Sequence, residues 1–323
     1  MTKKASASLE IGGKTLTLEI GNLAQQATSS VLARLGDTMV LVTVVAGKER
    51  SDIDYFPLTV EYVERLYAGG RIKGSRWVKR EGRPTDDAIL SARLIDRSVR
   101  PLFPKEFKKE VQIIATILSV DGENSPDILA VNAASAALAI SPIPWKGPVG
   151  AVRIGHVTDP TPASGQVTSK TGFIINPGVA ESELSELDLI VTSLKNKTLM
   201  LEAGALQVSE DIALEGIKKA QSENDKIIDF IQDFAKKNGA EKEEVKPNTQ
   251  YQELIALLEK FYKDEIVGMI KNRVTKESAG DASAFIDKIV EEQKTKDEEF
   301  DGDKKLIAKA VEYIMFKNLR ANT

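Results

Sequence analysis

The chain contains no cysteine in 323 residues. That removes disulfide scaffolds and thiolate metal sites, and it fits a reducing interior. Histidine is nearly as scarce. His156 is the only one, so a Ser-His-Asp arrangement or a multi-histidine metal centre would have to be built around it. It stands in Gly-His-Val-Thr-Asp beside a strand-like segment and reads as a surface or turn residue. No apolar run approaches the length of a membrane span, and the start, Met-Thr-Lys-Lys-Ala-Ser-Ala-Ser, lacks the apolar stretch of a secretion signal. The expectation is a cytoplasmic protein with no membrane partner. Neither sign of charge dominates: 44 Lys and Arg stand against 48 Asp and Glu, a net charge of -4. Any nucleic-acid site must therefore be a local patch on an acidic body.

Proline and glycine are missing from the last third. Of 12 prolines only Pro247 follows residue 209, and only five of the 22 glycines do, which predicts a helical region. The part before it has a different texture. Leu9, Ile11, Leu16, Leu18 and Ile20 alternate around Gly12-Gly13 as in a β-hairpin, and strand-like runs follow at 30–35, 38–45 and 57–62. A helix is predicted over 85–100, capped by Thr85 and stopped by Pro101. A strand at 111–120, an alanine-rich helix at 126–140 and strands near 147–154, 172–175, 187–194 and 198–203 complete the pattern. The fold class is α+β: a mixed sheet with packed helices, then an all-α region. We divide the chain into a first domain at 1–210, a connecting helix at 211–239 and a helical domain at 240–323, with helices near 251–270, 282–292 and 305–320. The last helix runs almost into Thr323 with no stop signal, as in a sequence cut from a longer one.

The most unusual stretch is the glycine-punctuated segment 69–83. Arg71, Lys73, Arg76, Lys79, Arg80 and Arg83 face a single acid, Glu81, and Trp77 sits among them. Cations for phosphates beside a flat ring for a base are what single-stranded nucleic-acid sites use; the plain alternative is a solvated loop. The following helix carries Arg93, Arg97 and Arg100 at i, i+4 and i+7, on one face. They either extend the positive track with bidentate phosphate donors or are neutralised by Asp96 and neighbouring acids.

Three motifs then resemble one family closely: Tyr67-Ala-Gly-Gly-Arg-Ile-Lys-Gly-Ser, Ala92-Arg-Leu-Ile-Asp-Arg-Ser-Val-Arg-Pro-Leu-Phe-Pro104, and Asn124-Ser-Pro-Asp-Ile-Leu-Ala-Val-Asn-Ala-Ala-Ser-Ala-Ala-Leu138. The chain is similar, over about residues 10–215, to the first RNase PH-like domain of bacterial polynucleotide phosphorylases, and the helical region fits that family's domain order. The resemblance implies 3'-to-5' phosphorolysis of RNA, with inorganic phosphate as co-substrate, Mg2+ as cofactor and a homotrimeric ring. It also implies that Trp77, Lys79, Arg80, Arg83 and Arg76 hold single-stranded RNA at a constriction, with Arg93, Arg97 and Arg100 lining or bracing the path. In the family this loop carries two phenylalanines and two arginines; here Trp77-Val-Lys-Arg80 stands there, with valine at the second aromatic position.

The phosphate-using centre is not recognisable. Active relatives have a Gly-Thr-Arg or serine-rich turn before the alanine-rich helix, where this chain has Asp121-Gly-Glu-Asn-Ser-Pro-Asp127. They also place two aspartates six residues apart near the strand at 187–194; Asp188 remains, and its counterpart falls at Ser182. No catalytic or metal-binding residue is assigned in this chain, and Mg2+ is expected outside it. An alternative reading is a complete, inactive RNase PH-like ring subunit that partners a separate catalytic chain.

Overall fold

The computed structural model describes residues 4–49, 55–72, 82–158, 171–245, 249–273, 279–296 and 303–321. Two compact units divide the chain, residues 1–245 and 246–323.

In the first unit, β1 (Ala5–Ile11) and β2 (Lys14–Ile20) form the predicted hairpin. Gly12 and Gly13 close it with φ of +58° and +78°, a two-residue turn that side chains with a Cβ rarely tolerate. Strands β3 (Ser29–Leu35), β4 (Thr38–Glu49), β5 (Leu58–Glu64) and β6 (Lys109–Ser119) complete a six-stranded sheet ordered β1-β2-β3-β4-β6-β5. Only β5 and β6 run parallel; the crossover between them carries the basic segment and helix α1 (Asp86–Val99). A second, antiparallel sheet follows, ordered β10-β9-β7-β8. Its strands are β7 (Gly150–Val157), β8 (Gly172–Ile175), β9 (Leu187–Leu194) and β10 (Lys197–Ala205), with a short helix α3 (Val179–Glu183) before β9.

Helix α2 (Pro126–Ile140) joins the two sheets. Twelve of its 15 residues are buried, so it has no solvent face, and its alanines let β3, β4 and β7 approach it closely. Its two buried polar residues lie one turn apart and serve the strand beside them. Asn132 exchanges two 2.9 Å hydrogen bonds with the backbone of Ala151, and Ser135 donates to Val149 O at 2.7 Å and accepts from Val149 N–H at 2.9 Å. These side chains supply the backbone partners that a strand pairing would otherwise give.

The sequence makes helix α4 (Glu210–Asn238) a connector between domains, but it packs along β7 and β9 and belongs to the first unit. Ala220, Ile227, Ile231 and Phe234 enter the main core, and Asn224 donates to Val191 O and Ser193 Oγ. Its approach leaves no room at Gly150, where a Cβ would stand 2.6 Å from Asn224 O. The boundary falls near Val245 and not at 210 because residues 240–245 are bound to α2. Ala240 N–H donates to Ile140 O, Glu243 N–H to Pro142 O, and Lys242 Nζ to Leu138 O and Ser141 O.

The second unit is helical: α5 (Thr249–Phe261), α6 (Lys263–Arg273), α7 (Ala279–Lys296) and α8 (Lys304–Ala321). The single helix predicted at 251–270 is two, divided at Tyr262, whose ring is buried among Leu258, Phe285 and Ile289. Its hydroxyl donates to Glu292 and accepts from Gln293 Nε2.

Candidate functional site

Of the basic segment, Arg71 and Ile72 are described and exposed; Arg76, Trp77, Lys79 and Arg80 lie outside the described residues. Arg83 is exposed just ahead of α1, whose first turn is capped as predicted: Ala88 N–H donates to Thr85 Oγ1 at 3.1 Å. The three arginines of α1 part company. Arg97 reaches across to Glu202 of β10 in an ion pair. Arg100 forks onto Asp96 and donates to the carbonyls of Phe56 and Leu58, bracing the start of β5. Arg93 has no ion partner among the described residues. It lines, with Ala88, Ala92 and Asp96, a groove of about 450 Å³ between α1 and β5. Among the described residues, Arg93 and Arg83 have no ion partner, whereas Arg97 and Arg100 have counter-charges of their own.

A second cleft, about 430 Å³, opens at the N-terminus of α2 and is lined by Glu123, Asn124, Ser125, Arg153, Ser182 and Glu183 among others. A helix N-terminus with an arginine beside it is ordinarily a phosphate cradle. Here carboxylates of the chain itself occupy the donors. Asp121 Oδ1 takes the backbone N–H of Glu123 at 2.9 Å and of Asn124 at 2.8 Å, and its carboxylate also accepts from Thr38 Oγ1 and Asp37 N–H. Burial works to raise the Asp121 pKa, but the donors from Asn124, Glu123 and Thr38 outweigh it and hold the carboxyl well below the usual carboxylate range. The turn fits so closely that a Cβ on Gly36, whose φ is +62°, would sit 2.6 Å from the Asn124 side-chain nitrogen.

Asp127 takes the Ile128 N–H at 2.6 Å and pairs at 3.0 Å with Arg153 Nη2. Arg153 also donates to Ser125 Oγ at 3.1 Å. Its Nε lies 3.1 Å from Asp188 Oδ1, in ion contact though not aligned for a hydrogen bond. The one guanidinium in the cleft therefore already faces two carboxylates, and Glu123 and Glu183 add further negative charge. Asp188 faces Arg153, and Ser182 lines the cleft with a hydroxyl.

His156 lies on β7 and not at a surface turn. It is half-buried, its ring 4.7 Å from Phe173 and its Nδ1 buried. Sequence reasoning also missed Arg153, which stands in a strand without any motif.

Residues 12–144 match the 3' exoribonuclease family, domain 1, and residues 147–223 match the same family's domain 2. Polyribonucleotide nucleotidyltransferase of Caldicellulosiruptor bescii is 49% identical over 76% of this chain and 33% of its own length. The enzymes of that name from Heliobacterium modesticaldum, 43% identical, and Natranaerobius thermophilus, 40% identical, are matched over 88% and 98% of this chain and over 38% and 43% of their own lengths. The chain therefore spans less than half of these relatives. Among solved structures, rice Rrp46 superposes with a TM-score of 0.52 at 15% identity, over 73% of this chain and 95% of its own, a likeness of fold. The chain belongs to the 3' exoribonuclease family, matching that family's domain 1 and domain 2 in order, and its sequence relatives there are polyribonucleotide nucleotidyltransferases.

Proposed function

We propose that this chain is the RNA-holding, non-catalytic part of a cytoplasmic 3'-to-5' phosphorolytic exoribonuclease. The parent enzyme degrades single-stranded RNA with inorganic phosphate, releases nucleoside diphosphates, uses Mg2+ bound outside these residues, and works as a homotrimeric ring. The observation that carries the reading is the occupation of the α2 cleft by the chain's own charges. Phosphorolysis requires amides, hydroxyls or an arginine aimed at phosphate; here Asp121 and Asp127 take the amides, while Asp127 and Asp188 take Arg153. Entering phosphate would have to displace anions that are covalently part of the fold.

RNA contact falls instead to the basic segment and the end of α1 beside it. Trp77 stacks on a base; Lys79, Arg80, Arg83 and Arg76 meet phosphates. Arg93 extends this track, while Arg97 and Arg100 brace the helix that carries it. Arg→Lys exchange at Arg93 would keep the charge and lose the planar fork.

Binding of fluorescent poly(A) over a salt series tests this reading. With both Lys79 and Arg80 replaced by alanine, affinity should fall and the slope of log K against log salt should flatten by about two, one for each phosphate left without its cation. An unchanged affinity and slope would return the segment to plain solvated surface.

A further inference from the structure

Helix α8 carries five basic residues, Lys304, Lys305, Lys309, Lys317 and Arg320, against one acid, Glu312, in a chain of net charge -4. Lys304 and Lys317 stand on its flanks and turn to acids of neighbouring helices, Asp287 of α7 and Glu259 of α5, each at 2.6 Å. The other three share a face with two aromatic rings. Lys305, Lys309, Tyr313, Phe316 and Arg320 follow at intervals of four, four, three and four residues. On an α-helix that spacing keeps all five on one stripe, about 80° wide and about 22 Å long. All five are exposed, Tyr313 at 41% and Phe316 at 56%, while Ile307, Ala310, Val311, Ile314 and Met315 fill the core on the opposite face. Helix α5 runs beside α8 in the same direction: Tyr251 Oη donates to Lys309 O and Lys317 reaches Glu259, each pair 58 positions apart. That puts Phe261, exposed and with Lys260 Nζ 5.1 Å from its ring centroid, at the Arg320 end of α8.

One exposed ring on a helix means little. Tyr313 and Phe316 are helix-surface neighbours, three positions apart, with cations ahead of them and behind them on the same stripe. A face destined for burial against another protein segment is usually poor in lysine. Rings for bases between cations for phosphates suit nucleic acid, and a ring can stack only on a base whose face is open, as in a single strand. We propose that this stripe is a second RNA contact, carried by the helical unit. Tyr313 and Phe316 stack on bases, and Lys305, Lys309 and Arg320 meet the phosphates on either side. The contact tolerates any sequence, because every base offers a flat face and the cations address only the backbone. It rests on the RNA-holding reading for the identity of its ligand, but not on the residues of segment 69–83.

Fluorescent poly(A) binding by the 323-residue chain tests the proposal, with each change made both alone and alongside alanine at Lys79 and Arg80. Phe316→Ala should weaken binding about fivefold or more, and Phe316→Trp, which keeps a flat ring, should retain it. Lys305→Ala combined with Lys309→Ala should weaken binding and flatten the slope of log K against log salt by about one to two. Both lysines are exposed, so that double variant should melt like the parent. If the α8 variants bind like the parent while the Lys79 and Arg80 pair binds weakly, the stripe is no RNA contact. That result would fit packing against another protein segment, and the RNA-holding reading would stand. Losses from the α8 changes with none from Lys79 and Arg80 would support the stripe and overturn the role given to the basic segment. No binding of poly(A) at all would overturn both.

Discussion

Asp121 shows how a single carboxylate decides what a cleft can bind. It receives the Glu123 and Asn124 N–H groups of its own turn, the Asp37 N–H, the Thr38 hydroxyl and the Asn124 side chain, and its pKa in the folded chain lies below the unfolded value of about 4. The sign follows: ν is larger in the unfolded state as pH falls through that value, so the stabilisation is complete above about pH 4 and is lost progressively below it. Asp121→Asn should cost about 1–3 kcal/mol near neutrality, as expected for leaving several donors poorly matched. It should also flatten the acid limb of an unfolding curve measured between pH 5 and 2. Equal acid limbs in the two proteins would contradict this. The α1 arginines offer a second residue-level contrast. Arg93→Ala should weaken poly(A) binding with little change in melting. Arg97→Ala should chiefly remove an exposed ion pair worth about 0–1 kcal/mol, read by urea denaturation. At this scale the sequence was informative about charge but not about partners. Six cations against one acid could be counted between 71 and 83, whereas the match of Arg97 with Glu202 joins residues 105 positions apart and no local pattern announces it.

Among elements, the segment that follows α4 behaves as part of the first unit because Lys242 closes the C-terminal end of α2. Its ammonium donates at 2.7 Å to both Leu138 O and Ser141 O, satisfying carbonyls that a helix end leaves without partners. Burial pushes its pKa down to about 8. Between there and the ordinary lysine value of about 10.4 the unfolded chain binds more protons than the folded one, so this residue's contribution makes stability rise with pH across that window. Urea unfolding at pH 7.5 and pH 10 should therefore show parent stability gaining on Lys242→Met by about 1 kcal/mol after solvent screening, and no gain would refute the role given to burial. Most elements were legible because their signals are local: alternation gave the β1–β2 hairpin, Thr85 the start of α1, and Pro126 with an alanine run gave α2. The α5–α6 division was not, since Tyr262 continues an apolar pattern and neither proline nor glycine marks the break. The placement of α4 escaped as well. An apolar stripe says that a helix packs, not against which sheet.

For the molecule as a whole, the segments matching the family's domain 1 and domain 2 form one unit with a sheet on either side of α2, followed by a separate helical unit. The relatives are more than twice as long as the matched part; on our proposal phosphate chemistry belongs to what lies outside these residues and RNA retention to what lies within. Motifs spanning residues 67–138 made the family readable from the sequence. The state of the α2 cleft needed coordinates, because Arg153 and Asp188 come from strands far from the Asp121–Asp127 turn. The most direct measurement is release of nucleoside diphosphates from poly(A) by the 323-residue chain with phosphate and Mg2+ supplied, alongside RNA retention in the same samples. The expected outcome is RNA bound and no diphosphate above the enzyme-free control. Phosphate-dependent release that disappears in Arg153→Ala would contradict it, by showing that the cleft still admits phosphate.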